Sequence, residues 1–543
     1  MKNKKKKASI LSFVLISSLV LGACSNEKTT AEKKDNKKES TISNLNQTGM
    51  PIAKDKIELE GFAGKFFQSQ DWNNLMLWQE YEKMTNIHIK WDAVQTQSLK
   101  EKRNLMLASG EYPDVLFAAA VPKTDLIKFG QQGVFIPLND LIDKYAPNFK
   151  KIMEKYPLVK KGITMPNGKI YGFPAFYDPE FKGLIYGTPW IKKEWLDKLG
   201  LKEPTTLDEF ESVLQAIKDG DPNGNGKADE IPWGGAYGID EFISSLKGSF
   251  GLNNHGIANP NVDLDPKTKK MRYVPTADGY KELLQYLNKL YTKGLIDKEI
   301  FTLKTEEFSA KASKNTFGVI NGVDPGTTEN LSGFVGMPVL KGPHGDRLNT
   351  AVGSPLGNIG MFVITNQNKS PEATVRWIDH FYSDEGSKMF FMGFEGKTYT
   401  KDPTTGKLDY VNEIKKNPDG LTLDQAVSKY LTWPGGYYPG FVKQKYFNGA
   451  ESKEATTANA QQAEPLSLKL DDVWPAFNFT VEEQSELTPI STDMDTYLKE
   501  MTANFITGKA DFSKWNEYKS TLEKMGVKRY LEIYEAAYKR MEK

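Results

Sequence analysis

Apolar and polar residues alternate from Ile57 through Leu59 to Gly61 and Phe62, and a second alternation follows at Ile87, Ile89 and Trp91. Side chains two apart share one face of an extended chain, so both segments predict half-buried strands. Between them residues 73 to 85 read as a helix, and a further helix is expected over about Glu101 to Ala108, stopped at Ser109-Gly110. Pro113 then leads into the apolar run Val115-Leu116-Phe117-Ala118, a third strand. Strand, helix, strand, helix, strand is the order of a parallel α/β sheet.

The same order recurs further along with stronger signals. Thr206 and Glu209 have the spacing of a capping box, and Phe210, Val213, Leu214 and Ile217 lie on one helical face. Leu283, Leu284, Leu287, Leu290 and Tyr291 form another apolar stripe, stopped by Gly294. Pro371 opens a helix carrying Ala373, Trp377, Ile378 and Phe381, and the chain from about Thr492 onward is expected to be helical with breaks at Gly508 and Gly526. No internal repeat points to a solenoid or a propeller.

The N-terminal pattern is of another kind. Lys2, Lys4, Lys5, Lys6 and Lys7 precede an apolar stretch from Ile10 to Leu21, which closes on Leu21-Gly22-Ala23-Cys24. Residues 1–23 predict a secretory signal peptide whose apolar core is short for a membrane-spanning helix. The tetrapeptide resembles the lipobox of bacterial lipoproteins, which implies lipidation of Cys24 and cleavage before it; a plain signal peptide is the alternative. Cys24 is the only cysteine among 543 residues, so no disulfide can form within one chain. Residues 24–50 are rich in Lys, Glu, Asn and Thr and read as a disordered, lipidated tether. No later stretch approaches 18 consecutive apolar residues, so the mature chain is expected to be held at the extracytoplasmic face of the cell membrane by lipid alone. Without residues 1–23, which hold five lysines and no acid, the formal charge moves from +1 to −4. That balance argues against electrostatic capture of nucleic acid.

The most specific motif is Asp221-Pro222-Asn223-Gly224-Asn225-Gly226-Lys227-Ala228-Asp229-Glu230-Ile231-Pro232. Oxygen-bearing side chains at loop positions 1, 3, 5 and 9 with glycine at 6 match the way an EF-hand wraps Ca²⁺, which needs six to eight oxygens. Asp221, Asn223, Asn225, the carbonyl of Lys227, Asp229 and Glu230 are the expected ligands. Pro232 stands where an EF-hand has its bidentate glutamate, so Glu230 is the substitute closure. An Asx- and Gly-rich turn without metal is the competing reading. A cation enclosed in this way would be structural, not catalytic.

Other chemistry is not marked out. His88, His255, His344 and His380 are scattered, Gly393 to Thr398 has glycines three apart where a phosphate loop needs five, and no Gly-x-Ser-x-Gly occurs. Aromatic residues make up 12% of the chain, and Trp72, Tyr177, Trp190, Trp233, Tyr237, Trp433, Tyr437 and Tyr438 are expected in loops. Aromatic faces in a cleft suit stacking on sugar rings, although each could equally be a core or rim residue.

Ala108-Ser109-Gly110-Glu111-Tyr112-Pro113-Asp114-Val115, Gly168-Lys169-Ile170-Tyr171-Gly172-Phe173-Pro174 and Trp195 to Gly200 followed by Pro204 to Phe210 resemble the extracellular solute-binding proteins of ABC importers. Pro371 to Trp377 and the terminal Tyr530-Leu531 to Tyr538 agree. Within the large oligosaccharide-binding class the chain is most similar to LipO-like lipoproteins and alginate-oligosaccharide-binding proteins. The resemblance implies a two-lobed α/β periplasmic-binding-protein-like fold with three hinge crossovers and a helical C-terminus, closing on a ligand. By analogy the crossovers fall near Pro174 to Tyr177, Phe334 to Met337 and Glu395. This gives an N-terminal lobe of 51–175 plus 337–395, and a C-terminal lobe of 176–336 plus 396–543 that carries the calcium loop. Gln68 to Trp72, with Asp71 and Trp72, and Ala119 to Lys123 are expected to face the ligand together with Tyr177, opposed by Trp190, Tyr237 and the Trp433–Tyr438 loop. An acidic ligand would need cations such as Lys65, Lys123 or Arg347. The implied function is a monomeric receptor that delivers an oligosaccharide to an ABC permease and is not an enzyme. The alternatives are a sensor or adhesin on the same fold, or a secreted carbohydrate-active enzyme.

Overall fold

The computed structural model describes residues 43–542, apart from 67–68, 323, 329–330, 433–437 and 449–452. Cys24, Gln68, Trp433 and Tyr437 lie outside the described residues. The first sheet has the order Phe362–Ile364, Val115–Phe117, Ile57–Lys65, Ile87–Gln95. Its three early strands are parallel, with Ile57 opposite Ile87 and Gly61 opposite Val115, while Phe362–Ile364 joins antiparallel. The connecting helices, Met76–Thr85 and Thr96–Ser109, are those the pattern predicts, and the second begins five residues earlier than expected.

Both faces of a parallel sheet must be covered. Here the covering is aromatic: Trp377 from the helix Pro371–Asp379 lies against Trp78, Tyr81, Phe117, Phe362 and Phe381, with ring centroids 5.0–6.0 Å apart.

The second sheet has the order Phe334–Gly336, Trp190–Lys192, Phe317–Asn321, Ile231–Gly235. Its last two strands are parallel and the other neighbours antiparallel. The helix Leu207–Asp219 buries Phe210, Val213, Leu214 and Ile217, and Asp278–Thr292 buries Leu283, Leu284, Leu287 and Leu290. The Thr206 hydroxyl caps the Glu209 amide as expected, but the Glu209 carboxylate reaches back one residue further, to the amide and hydroxyl of Thr205 at 2.8 Å each. The C-terminal helical region starts well before Thr492. Val481–Thr507 opens at a Thr480–Glu483 capping box and runs through Pro489, and Trp515–Met525 and Val527–Glu542 follow Gly508 and Gly526.

Two large hydrophobic clusters result. One gathers residues 45–184 and 356–447, the other 191–340 and 474–537. The crossovers therefore run over 184–191, 340–356 and 447–474, later than the sequence reading places them. Residues 399–447 belong to the first lobe because Tyr399, Tyr410, Ile414 and Tyr438 pack into its core, Tyr438 lying 4.3 Å from Phe390 and 4.9 Å from Phe391. Met337 and Leu340 belong to the second lobe's core.

The tether also ends sooner than expected. Leu45 and Ile52 are buried, Asn46 donates to the Ile52 carbonyl at 2.9 Å, and Arg376 holds the Asn46 and Gly49 carbonyls. Residues 43–50 thus fold onto the first lobe. Among the described residues no helix is long and apolar enough to cross a membrane.

The first and third crossovers are tied by Asn459, in the helix Glu454–Ala463 of the third connection. Its amide oxygen accepts from the Thr188 amide and hydroxyl at 3.2 and 2.9 Å, and its Nδ2 donates to the Thr188 carbonyl at 2.9 Å. A Cβ on Gly187 or Gly336 would sit within 2.6 or 2.3 Å of this amide, so glycine lets the first connection and the strand Phe334–Gly336 approach it.

Trp377→Ala is expected to destabilise the first lobe by roughly 3–5 kcal/mol, read as an earlier unfolding transition in chemical denaturation. An unchanged midpoint would show that the aromatic layer is not its core.

Candidate functional site

Two antiparallel strands mark the carboxyl ends of the sheets. Trp190 pairs with Ile320 and Gly336, so the start of its strand lies at the carboxyl ends of the neighbouring strands, and Phe362 meets Phe117 and Phe173 in the same way. In open α/β folds ligands bind outside the carboxyl ends of the strands, and the sequence-predicted ligand residues are placed relative to those ends below.

On the first lobe, Asp71 is exposed and caps the turn Trp72–Asn74, accepting from the Asn73 amide at 3.1 Å. Trp72 is a core residue: it is 2% exposed, its Nε1 donates to Ser69 Oγ, and its ring lies against Trp78, Trp91 and Phe117. Lys123 opens the helix Lys123–Gln131 and donates through Nζ to the carbonyl of Ala476 at 2.5 Å, a tie from the first lobe to the second. Burial alone lowers its pKa to about 7. Tyr177 is half-buried in the short strand Phe176–Tyr177, its ring 5.4 Å from Phe181.

On the second lobe, Trp190 lies in a strand, not a loop; it is buried, and its Nε1 donates to the Gly322 carbonyl at 3.1 Å. Tyr237 follows the strand Ile231–Gly235 and is 55% exposed, one of two such exposed tyrosines among the described residues. Trp233 is fully buried in that strand, its Nε1 on Asn321. Tyr438 is buried with its hydroxyl donating to the Phe381 carbonyl, so it packs the first lobe and presents no face to a crevice. Burial was not legible for Trp72, Trp190, Trp233 and Tyr438, because aromatic side chains serve cores and clefts alike.

Glu241 was missed by the sequence reading. It lies in the helix Ile239–Leu246, beside the ends of the strands Ile231–Gly235 and Phe317–Asn321; its Oε2 is sealed from solvent without a hydrogen-bond donor, and burial raises its pKa to about 7. A lone Glu in a helical first turn carries no sequence signal of this kind.

The Asp221 loop lies on the second lobe, pinned by Lys198 Nζ on the Pro222 carbonyl at 2.7 Å. Asp221 accepts from the amides of Gly224, Asn225 and Gly226 at 2.8–3.1 Å, with Gly224 and Gly226 in the left-handed region. Asn223 and Asn225 direct their Nδ2 groups at Asp229. Both carboxylate oxygens of Glu230 are sealed from solvent with no donor, and burial, reinforced by Asp221 and Asp229, raises its pKa. No group of three or more His, Cys, Asp or Glu among the described residues is arranged as a metal site. The loop's donors, however, include two Asn amides and a carbonyl. Two orphaned oxygens beside two further carboxylates fit a bound divalent cation, which would supply the missing positive charge.

The model for the bacterial extracellular solute-binding protein family matches residues 69–388. The fructooligosaccharide ABC transporter substrate-binding protein FusA of Streptococcus pneumoniae is 32% identical over 98% of this chain and 98% of its own. Lipoprotein LipO of Bacillus subtilis is 28% identical over 82% of this chain and 85% of its own. The polygalacturonan/rhamnogalacturonan-binding protein YtcQ, also of Bacillus subtilis, is 24% identical over 85% of this chain and 87% of its own. Among solved structures, FusA in complex with kestose has a TM-score of 0.71 at 29% identity, and a FusA EF-hand mutant in complex with fructo-nystose 0.70 at 29%, each covering 90% of this chain and 99% of that one. The chain belongs to the family of bacterial extracellular solute-binding proteins.

Proposed function

We propose that this protein is a lipid-anchored receptor that captures an oligosaccharide between its lobes and hands it to an ABC-type permease. The observation that carries this reading is the near-complete span of the likeness to FusA, joined to two separate hydrophobic cores. Asp71, Lys123, Tyr177, Trp190 and Tyr237 are the ligand-side residues of the reading. Closure would bring the two lobes onto opposite faces of the sugar and exclude water, so that protein hydrogen bonds replace those of the solvent. The crossovers over 184–191, 340–356 and 447–474 would act as the hinge, and the lobes would be 43–184 with 356–447, and 191–340 with 474–542. Cys24, in Leu21-Gly22-Ala23-Cys24, would carry the lipid, and the segment up to Ser43 would be the tether.

Ca²⁺ is the proposed structural ion. Asp221, Asn223, Asn225, the Lys227 carbonyl, Asp229 and Glu230 would hold it, and its charge would offset the three neighbouring carboxylates. The EF-hand named for the FusA mutant supports this assignment.

Two outcomes are expected. In a thermal-shift screen against oligosaccharides, at least one should raise the melting temperature by mass action, about 2.7 kcal/mol of stabilisation at one hundred times Kd. X-ray scattering should show a smaller radius with that ligand, and chromatography no product; turnover of the sugar would overturn the receptor reading. Separately, chelation should lower the melting temperature of the wild-type protein by several degrees and leave Asp221→Ala unaffected. If chelator moves neither, the loop holds no ion.

A further inference from the structure

A cavity of about 620 Å³ opens on the first lobe, and none of Asp71, Lys123, Tyr177, Trp190 and Tyr237 lines it. That volume falls in the range of roughly 300–1,000 Å³ common to small-molecule sites. One wall is the helix Asp384–Met392, on which Asp384, Lys388 and Met392 are four apart and share a face. The second is the hairpin of Tyr399–Lys401 and Leu408–Tyr410: Tyr399 lies opposite Tyr410 and Lys401 opposite Leu408, so these four side chains fall on one face of the ribbon. The third is residues 444–448, where the chain leaves the lobe. Hydrogen bonds close the corners. Tyr410 donates to the Phe391 carbonyl at 2.6 Å, Asn448 Nδ2 to the Met392 sulfur at 3.2 Å and the Tyr446 hydroxyl to Asp384 at 2.6 Å. Met392, Tyr399, Tyr410, Tyr446 and Phe447 belong to the first lobe's core, so the floor of the cavity is fixed.

The charges around this cavity are unbalanced. Its lining holds Lys388, Lys401, Lys407 and Lys445 against Asp384, Glu395 and Asp409. Two of the three carboxylates are already paired, Asp384 with Lys443 and Lys445 at 2.7 and 2.8 Å and Asp409 with Lys415. Among the described residues Lys388, Lys401 and Lys407 enter no ion pair, which leaves three ammonium groups against the single carboxylate of Glu395. The turn joining the two strands is pinned: the Asp402 carboxylate accepts from the Thr404 and Thr405 amides at 2.9 and 2.6 Å, and the Asp402 amide donates to the Lys407 carbonyl at 2.9 Å. Lys401 and Lys407 therefore stand on neighbouring strand ends, while Lys388 is half-buried on the helix. Like charges gathered around one recess repel each other, and an anion between them relieves that repulsion more strongly than on an open surface, because part of the water is displaced. Carboxylate and phosphate oxygens are the acceptors that ammonium donors match best. A cation would be repelled here, and a neutral sugar would make no use of the charge.

We propose that this cavity is a second ligand site, separate from the residues assigned to the oligosaccharide, and that it takes a small polyanion bearing carboxylate or phosphate groups on Lys388, Lys401 and Lys407. Lys445, held by Asp384, shapes the rim, and Glu395 opposes the ligand.

The test is isothermal titration calorimetry of the full chain in detergent with citrate and with pyrophosphate, sodium chloride holding the ionic strength constant. One or both should bind at one site per chain, and binding of only one identifies carboxylate or phosphate as the source. Lys401→Gln with Lys407→Gln, on the exposed hairpin, should weaken that affinity by about tenfold, and Lys388→Gln alone by about fivefold. Glu395→Gln, which removes the opposing carboxylate, should strengthen it by about threefold. Lys524→Gln with Lys528→Gln, at exposed positions on the second lobe's last two helices, removes as much charge and should leave the affinity unchanged. All variants are read in protein whose circular dichroism spectrum matches the wild type. No binding of either polyanion, unchanged affinity in the Lys401 and Lys407 variant, or an equal loss in the Lys524 and Lys528 variant overturns the site.

Discussion

One side-chain amide joins two of the three connections between the lobes. Asn459 takes up the amide, hydroxyl and carbonyl of Thr188 in the first connection, and it is itself part of the third. Gly336, at the end of a strand leading to the second, lies against it with no room for a Cβ. Because the buried apolar clusters of the two lobes are separate, polar ties of this kind, with Lys123 on the Ala476 carbonyl and Asn478 Nδ2 on the Gly162 carbonyl, set how the lobes meet. Hydrogen bonds each contribute little net free energy but are strict about geometry, which is what a hinge between two rigid bodies requires.

The lobes themselves are rigid for a different reason. The first lobe's sheet is sealed by interlocking tryptophan and phenylalanine rings around Trp377, and the second by leucine stripes from Leu207–Asp219 and Asp278–Thr292. Interiors packed to this density do not deform continuously. The loop residues between these elements are tied locally, Gly322 by Trp190, Pro222 by Lys198 and the Asn73 amide by Asp71.

The fold was largely legible because its signals are local. Alternation at Ile57–Phe62 and Ile87–Trp91, the Thr206 cap and the stripe at Leu283 each depend on residues within a few positions, and they appear where the pattern places them. Misplacements came where the pattern is silent. Pro489 hid the first half of a long helix, and residues 43–50 looked like solvent-loving linker until Arg376, 327 residues from Gly49, captured their carbonyls. The switch point expected at Glu395 failed because Tyr399, Tyr410 and Tyr438 choose a core through long-range contacts that no window of sequence contains.

The sequence by itself determined the order of elements, the helix caps, the oxygen-rich loop from Asp221 to Glu230 and the lone cysteine at position 24, all properties of residue type and short spacing. Only the tertiary structure decided which aromatic rings are core and which are surface, sending Trp72 and Tyr438 inward and leaving Tyr237 outside. It also decided which charges are paired and which are buried without a partner. Lysines that composition alone would count as ligand contacts are bound to carbonyls, and a glutamate without any motif is left with an acceptor oxygen unfilled. The reason is that burial and pairing are set by partners distant in the chain, and the free energy of a charge depends on those partners more than on its neighbours in sequence.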